Sequence, residues 1–301
     1  MSRKISAALF REQPEILKRF ENKVVIVTGS SAGIGQDAAV EFGKEGALLV
    51  IHGQNPHRLN ETETLLLEAG MKPENILKVF GSMEDPKTPG LIIEKTIEKY
   101  GRIDVLINNA GTSTKPGEKN SHSLANLDFL YKVNFRSAVE MSQLAMPYLR
   151  ETRGNIINVS SAGAIKPYPV AAFYTSLKAC LDHFTKNYAL IYGKRGVRIN
   201  CINPGFVRTQ IVTRNGVPGS QEKVTSFQLK MLHQNIMRKV EQFALNSSLK
   251  RIGQSCEMST VIKFLASDDA AYVTGACWVA DGGVVLYSPP LDLDDAMMMS
   301  L

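Results

Sequence analysis

The run Lys23-Val-Val-Ile-Val27 passes without a break into Thr28-Gly29-Ser-Ser-Ala-Gly33-Ile34-Gly35. The consecutive β-branched residues show no two-residue alternation, so they predict a short strand buried on both faces. A helical pattern follows at once, with Ala38, Ala39 and Phe42 apolar, and ends at Gly46. A strand that turns sharply into a helix needs positive φ or a missing side chain. A pyrophosphate resting on a helix N-terminus needs bare backbone N–H groups. A strand before and a helix after are the context in which a glycine turn predicts a dinucleotide site.

The alternation continues down the chain. Further strands are expected at 47–51, 75–80, 104–108, 154–159, 197–202 and 277–280. Helices are expected at 56–69, up to Tyr100, along 123–149, from the segment of Tyr174 to Gly193, and at 256–267. Strands alternating with helices predict an α/β fold: one doubly wound parallel sheet of about seven strands with helices on both faces. The expected division is an extension at 1–22, one domain over 23–285 and a tail at 286–301. Within the extension, Ile16, Leu17 and Phe20 share a helical face that suits a docking helix. Residues 206–250 read equally as a substrate lid or as a surface insertion.

Composition excludes several classes. No apolar run reaches the roughly 18 to 20 residues of a membrane span. The opening residues lack a sustained apolar core, so no secretory signal is expected, and a cytoplasmic location follows as the expectation. The net charge of +6 is spread along the chain without an aromatic-interleaved stripe, which argues against nucleic acid as a partner. Cys180, Cys201, Cys256 and Cys277 show no metal-ligand spacing, so no metal is expected. Three of them lie inside apolar or helical patterns and read as small hydrophobes, which suits a reducing compartment.

Each unusual polar or glycine-rich cluster follows the end of an apolar run: 28–35, 52–55, 108–111, 160–163 and 203–205. In an open parallel sheet the carboxyl ends of the strands form one rim, where ligands bind. The end of the second strand reads His52-Gly53-Gln54-Asn55-Pro56-His57-Arg58 and holds no carboxylate. An acidic residue there would bind the 2′-hydroxyl of NAD; without one a 2′-phosphate meets no repulsion, and His57 or Arg58 can assist it. The expected cofactor is therefore NADP(H), favoured over NAD(H). Tyr174 and Lys178 stand four apart on one helical face. A cation beside a phenol is expected to pull its pKa down from about 10, toward proton exchange with an alcohol oxygen near neutral pH. Asn134, among apolar neighbours, reads at first as a satisfied core amide.

Together these residues resemble the classical short-chain dehydrogenase/reductase family over about residues 22–283. The resemblance rests on Thr28-Gly-x-x-x-Gly33-Ile-Gly35, Asn108-Asn-Ala-Gly111, Asn134, Ser161, Tyr174-x-x-x-Lys178 and Asn203-Pro-Gly205 with Thr209. It implies a Rossmann fold and a catalytic tetrad of Asn134, Ser161, Tyr174 and Lys178. In that tetrad Asn134 kinks its helix and supports a proton relay. The implied cofactor contacts are Gly29, Ser31, Gly33, Ile34, Gly35, Gln54, Asn108, Ala110, Gly111, Pro204, Gly205, Val207 and Thr209, with Tyr174 and Lys178. Two positions depart from the family pattern. Ser82 stands where many members carry an adenine-binding Asp, and Gln54 and Ala32 stand where NADP-dependent members carry basic residues. The resemblance implies an NAD(P)-dependent oxidoreductase that interconverts a small-molecule carbonyl and alcohol, working as a homo-oligomer, dimer or tetramer. The alternative is a catalytically silent nucleotide-binding protein of the same fold.

Overall fold

A computed structural model describes residues 18–209, 245 and 247–286. The helical face of Ile16 and Leu17, residues 210–244 of the expected insertion and the tail from 287 lie outside the described residues.

Seven strands form one parallel sheet: β1 (Val24–Val27), β2 (Leu48–Gly53), β3 (Ile76–Phe80), β4 (Val105–Asn108), β5 (Asn155–Val159), β6 (Arg198–Pro204) and β7 (Cys277–Ala280). Their order is β3-β2-β1-β4-β5-β6-β7, so the winding reverses between β1 and β4. That reversal opens a crevice at the carboxyl ends of the two strands. The helices are α1 (Gly33–Lys44), α2 (Pro56–Glu68), α3 (Lys87–Tyr100), α4 (Leu124–Tyr131), α5 (Ser137–Thr152), α6 (Ala172–Tyr192) and α7 (Ser255–Ala266). The single helix expected over 123–149 is two helices joined by a π-helical turn, Lys132–Arg136, that carries Asn134.

Continuous apolar runs are required because both faces of the sheet are covered. Val25, Val27, Leu49, Ile51 and Ile107 pack on Phe42, Leu59, Leu66 and Ile262. The intervening Val24, Ile26, Val50 and Leu106 pack on Ile92, Met141, Ala145 and Leu149 on the opposite face. Asparagines tie the sheet to its cover. Asn155 Nδ2 donates to the Ala266 carbonyl at 2.8 Å, and Asn158 Nδ2 to Thr185 Oγ1 at 2.9 Å.

The residues just before β1 belong to the packed body. Phe20 is wholly buried, edge-on to Phe42 at 4.7 Å between centroids. Beside it the buried Glu45 carboxylate accepts from Arg19 Nε at 2.7 Å and from Lys263 Nζ at 2.9 Å. Those contacts outweigh the cost of burial and hold the Glu45 pKa below its ordinary value. The carboxylate joins the segment before β1, the end of α1 and α7. Glu45→Gln leaves two cations facing a neutral amide, and denaturant unfolding should show a loss of about 3 kcal/mol.

Candidate active site

The ends of the helices show why the crevice invites an anion. The N-terminus of α2 is closed by Asn55, whose Oδ1 accepts from Arg58 N at 3.1 Å, with Pro56 at its first position. The N-terminus of α7 carries a reciprocal cap between Gln254 and Glu257. The N-terminus of α1 has neither: Ala32 precedes it in extended conformation, and no side chain caps it. Its first N–H groups open onto a cleft of about 580 Å³, a size typical of organic ligand sites.

Close backbone approach shapes that cleft. A Cβ on Gly29, whose φ is +66°, would lie 2.7 Å from Ala110 Cα. A Cβ on Gly35 would lie 2.3 Å from Asn109 Nδ2. The β1–α1 turn therefore seats directly on the turn after β4. Asn109 completes the seat: its Nδ2 donates to the carbonyls of Thr28 at 2.9 Å and Gly29 at 3.0 Å. Thr209 covers the same turn, its Cγ2 3.0 Å from where a Cβ on Gly33 would stand. Bare amides, a glycine cradle and an uncapped helix end suit a dinucleotide pyrophosphate.

Gly29, Ser31, Gly33, Ile34, Gln54, Ala110, Gly111, Ser161, Tyr174, Lys178, Pro204, Gly205, Val207 and Thr209 all line this cleft. Two expected cofactor contacts, Gly35 and Asn108, are not among the residues that line the cleft. Gly35 lies behind the wall, where its missing side chain lets α1 pack on Asn109. Asn108 is buried in the sheet, its Nδ2 3.1 Å from Ser142 Oγ and 2.9 Å from Asn158 Oδ1, so its amide faces α5 and β5. Asn134 also stands behind the wall. Its Oδ1 accepts from Thr112 N at 2.8 Å and its Nδ2 donates to Thr112 O at 2.9 Å, pinning the segment after Gly111.

Ser161 and Tyr174 meet across the end of β5. Ser161 Oγ accepts from Gly163 N at 3.1 Å and hydrogen-bonds the Tyr174 phenol. The neighbouring Ser160 turns away, and its Oγ donates to the Lys178 carbonyl at 3.0 Å. Lys178 Nζ stands 5.7 Å from the Tyr174 ring centroid and donates to the Val159 carbonyl at 2.7 Å. Gly111 leaves room for this placement: a Cβ there would stand 2.9 Å from Asn134 Oδ1 and 3.5 Å from Lys178 Nζ.

The electrostatics correct a second expectation. Burial raises the Tyr174 pKa, and the hydrogen bond from Ser161 only partly opposes it. No lowering by Lys178 offsets that burial, and burial also weakens the ammonium itself. Its pKa falls to about 8, against the charges of Cys201 and Asp182 that raise it. The phenol of this chain is thus held as an acid.

The sequence reading passed over His52 as one residue of a carboxylate-free window. It is buried at the end of β2, where its Nδ1 accepts from Gly29 N at 3.2 Å. A backbone N–H can only donate, so the proton sits on Nε2, 3.1 Å from the Gly81 carbonyl. The neutral ring clamps the glycine turn to the end of β3. The signal available was a single imidazole ending an otherwise apolar buried run. Of the two basic residues expected near a 2′-phosphate, Arg58 lines the cleft. His57 is turned to solvent and pairs with Glu61 at 3.1 Å.

The family model described as short chain dehydrogenase matches residues 23–217. The 3-oxoacyl-[acyl-carrier-protein] reductase of Thermotoga maritima is 31% identical, over 89% of this chain and 100% of its own. The uncharacterized oxidoreductase YxbG of Bacillus subtilis is 31% identical, over 90% of this chain and 94% of its own. A short-chain dehydrogenase/reductase of unknown function from Caenorhabditis elegans, solved with cofactor, superposes with a TM-score of 0.80. It is 31% identical, with 90% of this chain and 98% of that one covered.

The His52 clamp makes stability depend on pH. Burial lowers the His52 pKa from 6.5 to about 4, opposed by the Gly81 carbonyl. The folded chain then binds the proton less readily than the unfolded chain, so the clamp's contribution is complete above about pH 6.5 and declines toward pH 4. The decline is worth about 3 kcal/mol. Denaturant melts of the protein and of His52→Gln across this range should show a shallower acid slope in the variant.

Proposed function

The chain belongs to the short-chain dehydrogenase family, and from that premise we propose that it interconverts a carbonyl and an alcohol using NADP(H), with Tyr174 as the proton-transfer group. The observation that carries this reading is the meeting of Ser161, Tyr174 and Lys178 on the wall of the cleft that also holds the uncapped end of α1.

When bound, the nicotinamide supplies or accepts the hydride. The amides at the start of α1 and the turn Gly29–Gly33 hold the pyrophosphate. Thr209 covers the same turn, and Val207 lines the cleft. Ser161 donates its hydroxyl hydrogen to the substrate oxygen and stabilises the charge that develops there. Tyr174 gives its proton to that oxygen during reduction and takes it back during oxidation. The raised pKa keeps the phenol protonated until the oxygen becomes basic. Once the product hydroxyl has formed, the Ser161 hydroxyl can turn its hydrogen to the phenolate left behind, the interaction that lowers the Tyr174 pKa. Asn134 acts by position, fixing Thr112 beside the cleft.

The preference for NADP(H) is supported by the end of β2. Gly53, Gln54 and Asn55 offer no carboxylate, and Arg58 faces the cleft with no acidic partner among the described residues. The same reading has the protein working as a homo-oligomer, dimer or tetramer, in the cytoplasm. The exposed Leu144 on α5 and Leu190 and Ile191 on α6 supply apolar surface for the assembly. Among the described residues no helix is long and apolar enough to cross a membrane.

Tyr174→Phe should lower turnover of a responsive carbonyl substrate about a thousandfold while a fluorescence titration shows NADPH binding unchanged. Undiminished turnover would remove Tyr174 from the reaction. Arg58→Ala should weaken NADPH binding about tenfold and leave NADH binding as it was. An equal loss for both cofactors would contradict the proposed role of Arg58 at the 2′-phosphate.

A further inference from the structure

The parallel register of β6 and β7 brings two cysteines together that lie far apart in sequence. Cys201 is the direct partner of Cys277. Adjacent strands run about 4.8 Å apart, within the Cα separation that a disulfide can span. Both side chains face α6. Cys201 Sγ donates to Asp182 Oδ1 at 3.3 Å, and Cys277 Sγ to the Asp182 carbonyl at 3.7 Å. The two sulfurs and a carboxylate oxygen of Asp182 lie within 4.8 Å of one another.

The two thiols are not equivalent. Cys201 has 0% exposure, whereas Cys277 is half-buried. Contact with the Cys201 thiol lowers the Cys277 pKa against partial burial and the Asp182 carboxylate, which raise it, and the Lys186 ammonium adds to the lowering. Burial raises the Cys201 pKa. The more acidic of the two thiols is therefore the less buried one, with a second thiol directly behind it.

This pair is wired to the catalytic wall. Asp182 Oδ2 accepts from Asn203 Nδ2 at 2.7 Å, and the same Nδ2 donates to the Ser161 carbonyl at 3.0 Å. Asp182 also stands one helical turn beyond Lys178, whose charge it supports. The proposed reaction uses neither cysteine directly, nor Asp182 or Asn203.

We propose that Cys277 and Cys201 form a peroxide-sensitive dithiol whose closure to a disulfide slows turnover at Ser161 and Tyr174. The oxidant is hydrogen peroxide. The Cys277 thiolate attacks the outer peroxide oxygen, the O–O bond breaks, and a proton releases water, leaving a sulfenic acid on Cys277. The Cys201 sulfur attacks the Cys277 sulfur, the S–O bond breaks, and hydroxide departs with the Cys201 proton as a second water. The two sulfurs lose two electrons to the peroxide, which is reduced to water. Asp182 Oδ1 loses its thiol donor, and the Asp182–Asn203–Ser161 chain must readjust around a buried carboxylate left with one partner fewer. A thiol donor returns the pair to its open form.

The test uses the full chain with the exposed Cys180 and Cys256 replaced by serine, treated with hydrogen peroxide at neutral pH. The intact mass should fall by two hydrogens, and digestion should yield one cross-linked peptide pair containing Cys201 and Cys277. NADPH-dependent carbonyl turnover should fall roughly tenfold in step, and dithiothreitol should restore both. Cys277→Ser in the same background should keep its turnover through the treatment. The proposal is overturned if both thiols remain titratable, if oxygen adds to Cys277 without a cross-link, if the disulfide forms with turnover unchanged, or if Cys277→Ser is inactivated equally. The mass readout does not depend on turnover, so a reduced protein with no carbonyl activity would count against the proposed function and leave the dithiol judged on its mass.

Discussion

The structure depends on the contact between two turns. The β1–α1 turn and the turn after β4 touch backbone to backbone, because no Cβ stands at Gly29 or Gly35 where it would meet Ala110 and Asn109. Thr28 completes the contact from below. Its Oγ1 accepts from Asn109 N at 3.0 Å and donates to the Ile107 carbonyl at 3.2 Å. This seating sets the crevice at the point where the strand order reverses, and it leaves the first amides of α1 facing outward. The groups proposed for the chemistry, Ser161, Tyr174 and Lys178, then need only reach the same rim from the end of β5 and from α6, which the parallel winding ensures.

Much of this was legible in the sequence because of what burial on two faces demands. Val24–Val27, Val105–Asn108 and Asn155–Val159 are short runs with little alternation, and each ends in a polar cluster. Their order along the chain therefore revealed the sheet and its rim together. Ser161 and Tyr174 lie thirteen residues apart, and their meeting followed from a strand feeding a helix on one side of the sheet.

What was not legible is orientation and local dielectric. Asn108 and Asn109 are identical in type and adjacent. Only the pleat decides that one amide points into α5 and the other into the glycine turn. His52 counts in the sequence only as part of a carboxylate-free window, yet the strand continues two residues past the apolar run, to Gly53, and buries it. The pair Tyr174 and Lys178 suggested a depressed phenol pKa from spacing alone. Spacing does not reveal that both groups are buried, nor that Val159 takes the ammonium's hydrogen bond. Cys201 and Cys277 likewise met only once the β6–β7 register was known.

The central claim is that this rim carries out hydride exchange with a carbonyl, rather than holding a nucleotide for another purpose. The most direct measurement is isotope transfer. The wild-type protein is incubated with a responsive ketone and NADPH deuterated at the reactive position of the nicotinamide ring, and the alcohol is analysed by mass spectrometry and NMR. The account predicts one deuterium per product molecule, bound to the carbinol carbon, with the hydroxyl proton drawn from solvent through Tyr174. Alcohol formed without deuterium at that carbon, or no alcohol from a broad ketone panel despite tight NADPH binding, would contradict it.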